Sequence, residues 1–354
     1  MERNPKKAGT VLLIVFIIFV LTACESDKSG QPEQKERMVI GLVNDGLVIE
    51  RWQKDRDIFV SKVKELGAEV IVKNANENTE RQIEFINTLV DEGVDVLVII
   101  PYDKDGLTQC VRNAKRKGVK VISYDRLIRN AEVDVYISFD NEKVGRLAAG
   151  TLVDKVPEGN YIIINGSPKD NNSDMFNKGF YRVLEEEVES GQIHILKEVW
   201  ADDWRGDVAY ETVSQAIIEG HTVNGIIGAN DELAQGAIRA LSENRLAGAV
   251  AVAGHDADLA ACQRIVEGTQ LSTVYKPIKT LAEGAAEIAV ALAKGEDIGY
   301  IHTIHDGKGE VPFIMYDPIA VTKENILDTI IKDGFHTIEE VYRNIPENRW
   351  PLSH

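Results

Sequence analysis

Gly93-Val94-Asp95-Val96-Leu97-Val98-Ile99-Ile100-Pro101-Tyr102 decides how this chain is read. From Val94 to Ile100 nearly every position is apolar, and polar and apolar residues do not alternate. A strand with one wet face alternates. A nearly continuous apolar run marks a strand covered on both faces, as in a parallel sheet between helices.

Working outward, the same unit recurs. Residues 38–44 read as a first strand. The helix after it carries Ile58, Val60, Val63 and Leu66 at core spacing and stops at Gly67. Residues 68–72 form a second strand, and a helix with Ile83, Ile86, Leu89 and Val90 stops at Gly93. Beyond the quoted run come a helix over 107–116 and strands over 119–124 and 135–139. The alternation then repeats, with strands expected at 161–165, 193–199, 223–228, 250–254 and 271–274. A late strand over 313–319 and a short helix near 323–331 close the chain. Repeated β–α alternation predicts an α/β fold with parallel sheets and helices on both faces. About a dozen strands exceed one comfortable sheet, so two doubly wound lobes are expected.

The chain has 354 residues, a formal net charge of −17 and a pI near 4.9. No basic footprint for nucleic-acid phosphates is present. Residues 1–23 are set apart: Arg3, Lys6 and Lys7 precede an apolar run from Val11 to Val20, then Leu21-Thr22-Ala23-Cys24. The run is short for a membrane span and reads as a signal peptide. The tetrapeptide looks like a bacterial lipobox, which would leave Cys24 as a lipidated N-terminus. The domain is thereby expected on the extracellular face of the cytoplasmic membrane. Residues 24–37 are polar and aperiodic, a flexible tether. Cys110 and Cys262 lack CxxC spacing; buried thiols are the first reading, one disulfide the second.

In open parallel sheets, ligands bind beyond the carboxyl ends of the strands. The residues expected there are Asp125, Asp170, Asn172, Asn230 and Asp256 as acceptors or amides, and Arg51, Arg126 and Lys276 as donors. Trp204 supplies a flat apolar face, and Trp52 is a further candidate. Asp and Asn also cap helices. For Asp140, Asn141 and Asp258 capping competes with a ligand role, and for Asp103 it is the better reading. The mixture suits a polyhydroxylated sugar. Each hydroxyl donates once and accepts twice, so it is satisfied by a carboxylate or amide on one side and Arg or Lys on the other. The C–H face of a pyranose lies well on an indole.

Enzyme motifs are missing: the sequence has no GxGxxG after a strand, no GxxxxGK[ST], no GxSxG and no HExxH. Of the seven His, only His255 lies at a strand end, where it shapes or borders the cleft rather than serving as a base. His302 and His305 have metal-like spacing without partners, so neither a metal nor a cofactor is expected. A glycosidase is disfavoured, because Asp beside Arg and Lys suits hydroxyl binding.

Longer stretches then carry a resemblance. They are Glu50 to Phe59 (ERWQKDRDIF), Gly93 to Tyr102, Tyr124-Asp125-Arg126, Tyr136 to Val144 (YISFDNEKV), Gly166-Ser167-Pro168 with Asp170-Asn171-Asn172, Asp256 to Ala260 (DADLA) and Val274 to Ile278 (VYKPI). The chain from about Met38 to Phe335 resembles the D-xylose-binding proteins of bacterial ABC transporters, in the type I periplasmic binding protein family of ribose-binding-like folds. The resemblance implies two lobes joined by a three-segment hinge, with the sugar in the cleft between them. It implies contacts from Arg51, Asp125 and Arg126 on the first lobe, and from Asp170, Asn172, Trp204, Asn230 and Asp256 on the second, with Lys276 near a crossing. The lobes are expected at 38–141 plus 277–307 and at 142–276 plus 308–345. His255 stands where the pattern has glutamine, Asn165 where it has glycine, and the segment after Phe335 has its own ending. The implied partners are D-xylose or a similar pentose and an ABC permease. The alternative partner is the ectodomain of a sensor histidine kinase, for which the protein would be a xylose-sensing co-receptor. Lys54, Asp55, Arg56 and Asp57 are expected on a solvated helix face or on the rim that meets a partner, and Arg51→Ala is expected to remove most binding while sparing the fold.

Overall fold

The computed structural model describes Met1, residues 37–47 and residues 50–351. Cys24 and the rest of 2–36 lie outside them, so the signal peptide and lipidation expectations fall there too.

The described chain runs β1 (Val39–Asn44), α1 (Glu50–Glu65), β2 (Glu69–Asn74), α2 (Thr79–Asp91), β3 (Val96–Ile99), α3 (Thr108–Arg116), β4 (Lys120–Tyr124) and β5 (Val135–Phe139). There follow α4 (Asn141–Lys155), β6 (Gly159–Asn165), α5 (Asn171–Glu189), β7 (Ile193–Trp200), α6 (Gly206–Ile218), β8 (Gly225–Gly228), α7 (Asp231–Glu243), β9 (Ala251–Ala253), α8 (Leu259–Glu267) and β10 (Ser272–Tyr275). Then come α9 (Ile278–Lys294), β11 (His302–His305), β12 (Glu310–Tyr316), β13 (Ile319–Thr322) and α10 (Ile338–Val341).

The strands make two sheets, ordered β11-β12-β5-β4-β3-β1-β2 and β13-β10-β9-β8-β6-β7. All pairings are parallel except β11 on β12 and β13 on β10, each at a sheet edge. β3, the quoted run, sits inside the first sheet, and all four of its residues are buried. Its apolarity follows from cover on both sides: Val96 and Val98 join one apolar cluster, Leu97 and Ile99 the other.

Chain crossings fall at Asp140, at Lys276–Pro277 and at Asp317–Pro318, where successive elements change sheet or pack against the other lobe's helices. The third lies later than the sequence reading placed it. Residues 310–316, expected in the second lobe, belong to the first sheet, because β12 pairs in parallel with β5, Phe313 opposite Tyr136. The single strand expected over 313–319 is two strands in two sheets. The helix expected near 323–331 is a π-helical stretch over Leu327–Ile331.

Two helices meet closely behind the site. On α4 and α5, a Cβ at Gly145 would lie 2.2 Å from the Phe176 carbonyl oxygen, and one at Gly179 would lie 2.2 Å from that of Glu142. Only glycine permits this approach, which seats the start of α5, with Asn172 and Phe176, against the crossing at Asp140.

Candidate functional site between the lobes

All ten residues singled out from the described sequence line one small cavity. Phe176 and His255 complete its wall.

Arg51 is 2 % exposed, although it sits in the first turn of a charged helix. Its Nη2 donates to Asp125 Oδ2 at 2.9 Å and its Nε to Asp55 Oδ2 at 3.3 Å. Nη1 lies 3.6 Å from Asp256 Oδ1 on the second lobe. Asp55 is therefore not on a solvated face. It is 2 % exposed and also accepts from the Tyr124 hydroxyl. The i,i+4 spacing of Arg51 and Asp55 was the available signal, since such pairs share a helix face. The Trp52 ring lies 4.5 Å from the Arg51 guanidinium and 5.4 Å from that of Arg126. It floors the cavity beneath both cations.

Arg126 is gripped on two sides. Nη1 donates to Asp45 Oδ2 at 2.7 Å, and Nε lies 2.6 Å from Asp170 Oδ2 across the cleft. Burial pushes the Asp45 carboxyl up to about 6 against the pull of Arg126. Asp45, just past the end of β1, anchors Arg126. Asp170 divides its oxygens, since Oδ1 accepts from the Asn172 N–H at 2.9 Å and caps α5. Asn172 Nδ2 donates to the Asp125 carbonyl at 3.1 Å, and its Oδ1 accepts from Asn141 Nδ2 at 3.0 Å. Asn230 caps α7 through Oδ1 to the Leu233 N–H, so capping and lining coincide here too.

Asp256 and Lys276 form the far end, 2.7 Å apart. Burial pushes the Asp256 carboxyl up, but the charges of His255, Lys276 and Arg51 outweigh it and hold it well below the usual carboxylate range. Burial also pushes the His255 imidazole down to about 3, so Lys276 and Arg51 are the cations present at neutral pH. His255 packs 4.6 Å from Phe176 and edge-on to Trp204 at 6.3 Å. It shapes the wall and is not poised as a base. Trp204 fits because Gly166 lacks a side chain: a Cβ there would lie 2.2 Å from the indole. The other capping candidates stay outside the lining. Asp140 caps α4 through the Lys143 N–H, and Asp103 accepts from Asp105 N and Gly106 N.

Outside the cavity lining the lobes meet directly. The Tyr102 hydroxyl donates to Asp203 Oδ1 at 2.5 Å, and Lys104 Nζ reaches Asp174 Oδ2 at 2.7 Å. Cys110 and Cys262 are both buried, in separate apolar clusters. Among the described residues no group of His, Cys, Asp and Glu could hold a metal, and no helix is long and apolar enough to cross a membrane.

Three donors in the cavity wall have no hydrogen-bond partner among the described residues: Arg51 Nη1, Trp52 Nε1 and Trp204 Nε1. Buried donors are seldom left unpaired, so this wall is complementary to a ligand that accepts from several directions. The lining also carries three cations (Arg51, Arg126, Lys276) against three carboxylates (Asp125, Asp170, Asp256) and matches a neutral, polar molecule.

Two parallel-sheet lobes, three crossings and a polar cavity lined by both lobes define a two-lobed solute-binding protein. Comparison with known proteins agrees. Residues 40–297 match the model of the periplasmic binding protein domain, and the chain belongs to that family. It is 49 % identical over 304 residues to the D-xylose-binding periplasmic protein of Haemophilus influenzae, spanning 86 % of this chain and 92 % of that one. It is equally identical to the Escherichia coli D-xylose-binding periplasmic protein, over 85 % of this chain and 92 % of its relative. Among solved structures, an ABC transporter solute-binding protein of Clostridium phytofermentans with bound β-D-glucose superposes with a TM-score of 0.79 at 26 % identity, covering 86 % of this chain and 99 % of that one. As a member of this family the chain is a binding receptor and not an enzyme.

Proposed function

We propose that this protein is a receptor for a neutral monosaccharide, D-xylose above others, which it encloses between its lobes and presents to an ABC permease. The observation that carries the reading is the set of unpaired buried donors, Arg51 Nη1, Trp52 Nε1 and Trp204 Nε1, in a wall whose charges balance. Sugar hydroxyls accept from such donors and donate to Asp125, Asp170 and Asp256. The likeness to two D-xylose-binding proteins selects the pentose.

The ligand set is Arg51, Asp125 and Arg126 from the first lobe, Asp170, Asn172, Trp204, Asn230 and Asp256 from the second, and Lys276 at a crossing, with Trp52 as the floor. Arg51 and Arg126 each meet carboxylates of both lobes, so a sugar held by both walls favours the closed arrangement. The hinge segments are Asp140, Lys276–Pro277 and Asp317–Pro318.

The chain is held at the membrane through lipid on Cys24, a reading supported by Leu21-Thr22-Ala23-Cys24. Changing Cys24 to Ala in the native host and fractionating the cells tests it: the variant should leave the membrane fraction, and retention there would refute the anchor. Binding is tested by titration of the purified protein with D-xylose, ribose, arabinose and glucose.

A further inference from the structure

Phe335 and His336, near the end of the described chain, reach towards both walls of the site. Asp256 and Ala257 have left-handed backbone, with φ of +98° and +57°. Neither is glycine, and such positions cost on the order of 1–3 kcal/mol each, so they persist only where neighbours fix them. The Asp256 N–H donates to the Val274 carbonyl at 3.0 Å, and the Ala257 N–H to Thr273 Oγ1 at 3.1 Å. The Ala257 carbonyl accepts from His336 Nε2 at 2.8 Å and more distantly from Cys262 Sγ at 3.5 Å. His336 is 79 residues away in sequence and 4 % exposed. Its neighbour Phe335 packs 5.0 Å from the ring of Tyr275, the residue before Lys276. The ammonium of Lys54, three residues beyond Arg51 on α1, lies 4.4 Å from the Phe335 ring.

We propose that Phe335 and His336 are positioning residues for the sugar site. His336 fixes the turn that aims Asp256 at Arg51 and Lys276, and Phe335 ties this wall to the helix that carries Arg51. A left-handed turn with one carbonyl bond removed relaxes towards commoner backbone conformations and swings the carboxylate away from its cations. The consequence for affinity rests on the sugar-receptor reading; the consequence for the turn does not.

The test measures amide hydrogen exchange of the sugar-free protein across residues 256–258, together with D-xylose titration. His336→Ala should speed exchange of the Ala257 amide and weaken xylose binding, each about tenfold, the scale of one buried hydrogen bond. His336→Gln carries an amide N–H to nearly the same place and should restore both to within about threefold. Unchanged Ala257 exchange in His336→Ala overturns the positioning role, whatever the ligand. Faster exchange with wild-type xylose affinity overturns its link to binding. Faster exchange in a protein whose wild type ignores xylose sinks the receptor reading and leaves the positioning role standing. If His336→Ala fails to fold, Phe335→Leu is read instead. It keeps an apolar side chain but loses the cation–π contact, and should weaken xylose binding about threefold; unchanged affinity there overturns the tie to α1.

Discussion

Arg126 and Asp170 stand on opposite lobes, and Nε of the first lies 2.6 Å from Oδ2 of the second in a buried part of the cavity wall. The pair belongs to the closed arrangement, because opening the cleft separates its members. Asp170→Asn keeps the Oδ1 cap on α5 and removes the charge. The variant should therefore fold normally and bind D-xylose at least tenfold more weakly, through faster release, since charged pairs in such walls act chiefly on dissociation. Stopped-flow release rates check this, and wild-type release would contradict it.

Arg51→Ala is expected to do more than abolish binding. The sequence reading expected the fold to be spared, because it rests on apolar strands. In the structure Arg51 faces Asp55, Asp125 and Asp256, all buried, and removing it strands these charges. Breaking one side of a buried pair costs on the order of 3–5 kcal/mol. Denaturant unfolding should show a loss of that size, and a midpoint unchanged from wild type would refute the network.

His255 carries a pH signature. Burial holds its imidazole near 3 in the folded chain, against an ordinary 6.5. Between those values the unfolded chain takes up a proton that the folded one refuses, so this residue's contribution to stability is full above about pH 6.5 and falls as pH drops towards about 3. Asp45, raised to about 6, works in the opposite direction, so the test is a difference. Relative to His255→Gln, wild type should lose about 2–3 kcal/mol between about pH 7 and pH 4.5. Parallel stability curves for the two proteins would contradict a buried neutral imidazole.

The thiols give a simple count. Cys110 and Cys262 are buried in separate clusters, and burial pushes the Cys110 thiol up to about 11. Neither should react with a thiol reagent in the folded protein, and both should react on unfolding without reductant. A mature chain lipidated on Cys24 then shows two thiols, whereas three would contradict lipidation and fewer than two would reveal a disulfide.

Much of this was legible in the sequence because apolar periodicity reports burial. The run at 94–100 has no alternation, and β3 indeed lies covered on both faces within its sheet. The lining residues were legible because strand ends in parallel sheets converge on one cleft. Local pattern could not show which charges face inward. Asp55 looks like any exposed helical acid until Tyr124 and Arg51 close over it. Nor could it show sheet membership near the chain end: β12 and β13 read as one apolar strand, and only the turn at Asp317–Pro318 sends their halves to different sheets. Phe176 was hidden for a related reason, since it reaches the cavity from inside α5 and not from a strand end.

Isothermal titration of the dialysed protein with D-xylose, with ribose, arabinose and glucose run alongside, tests sugar binding at the interlobe site most directly. Binding should saturate at one D-xylose per chain, be tighter than for the other three sugars, and be lost in Arg51→Ala. No heat with D-xylose, or equal affinity for all four sugars, would contradict it.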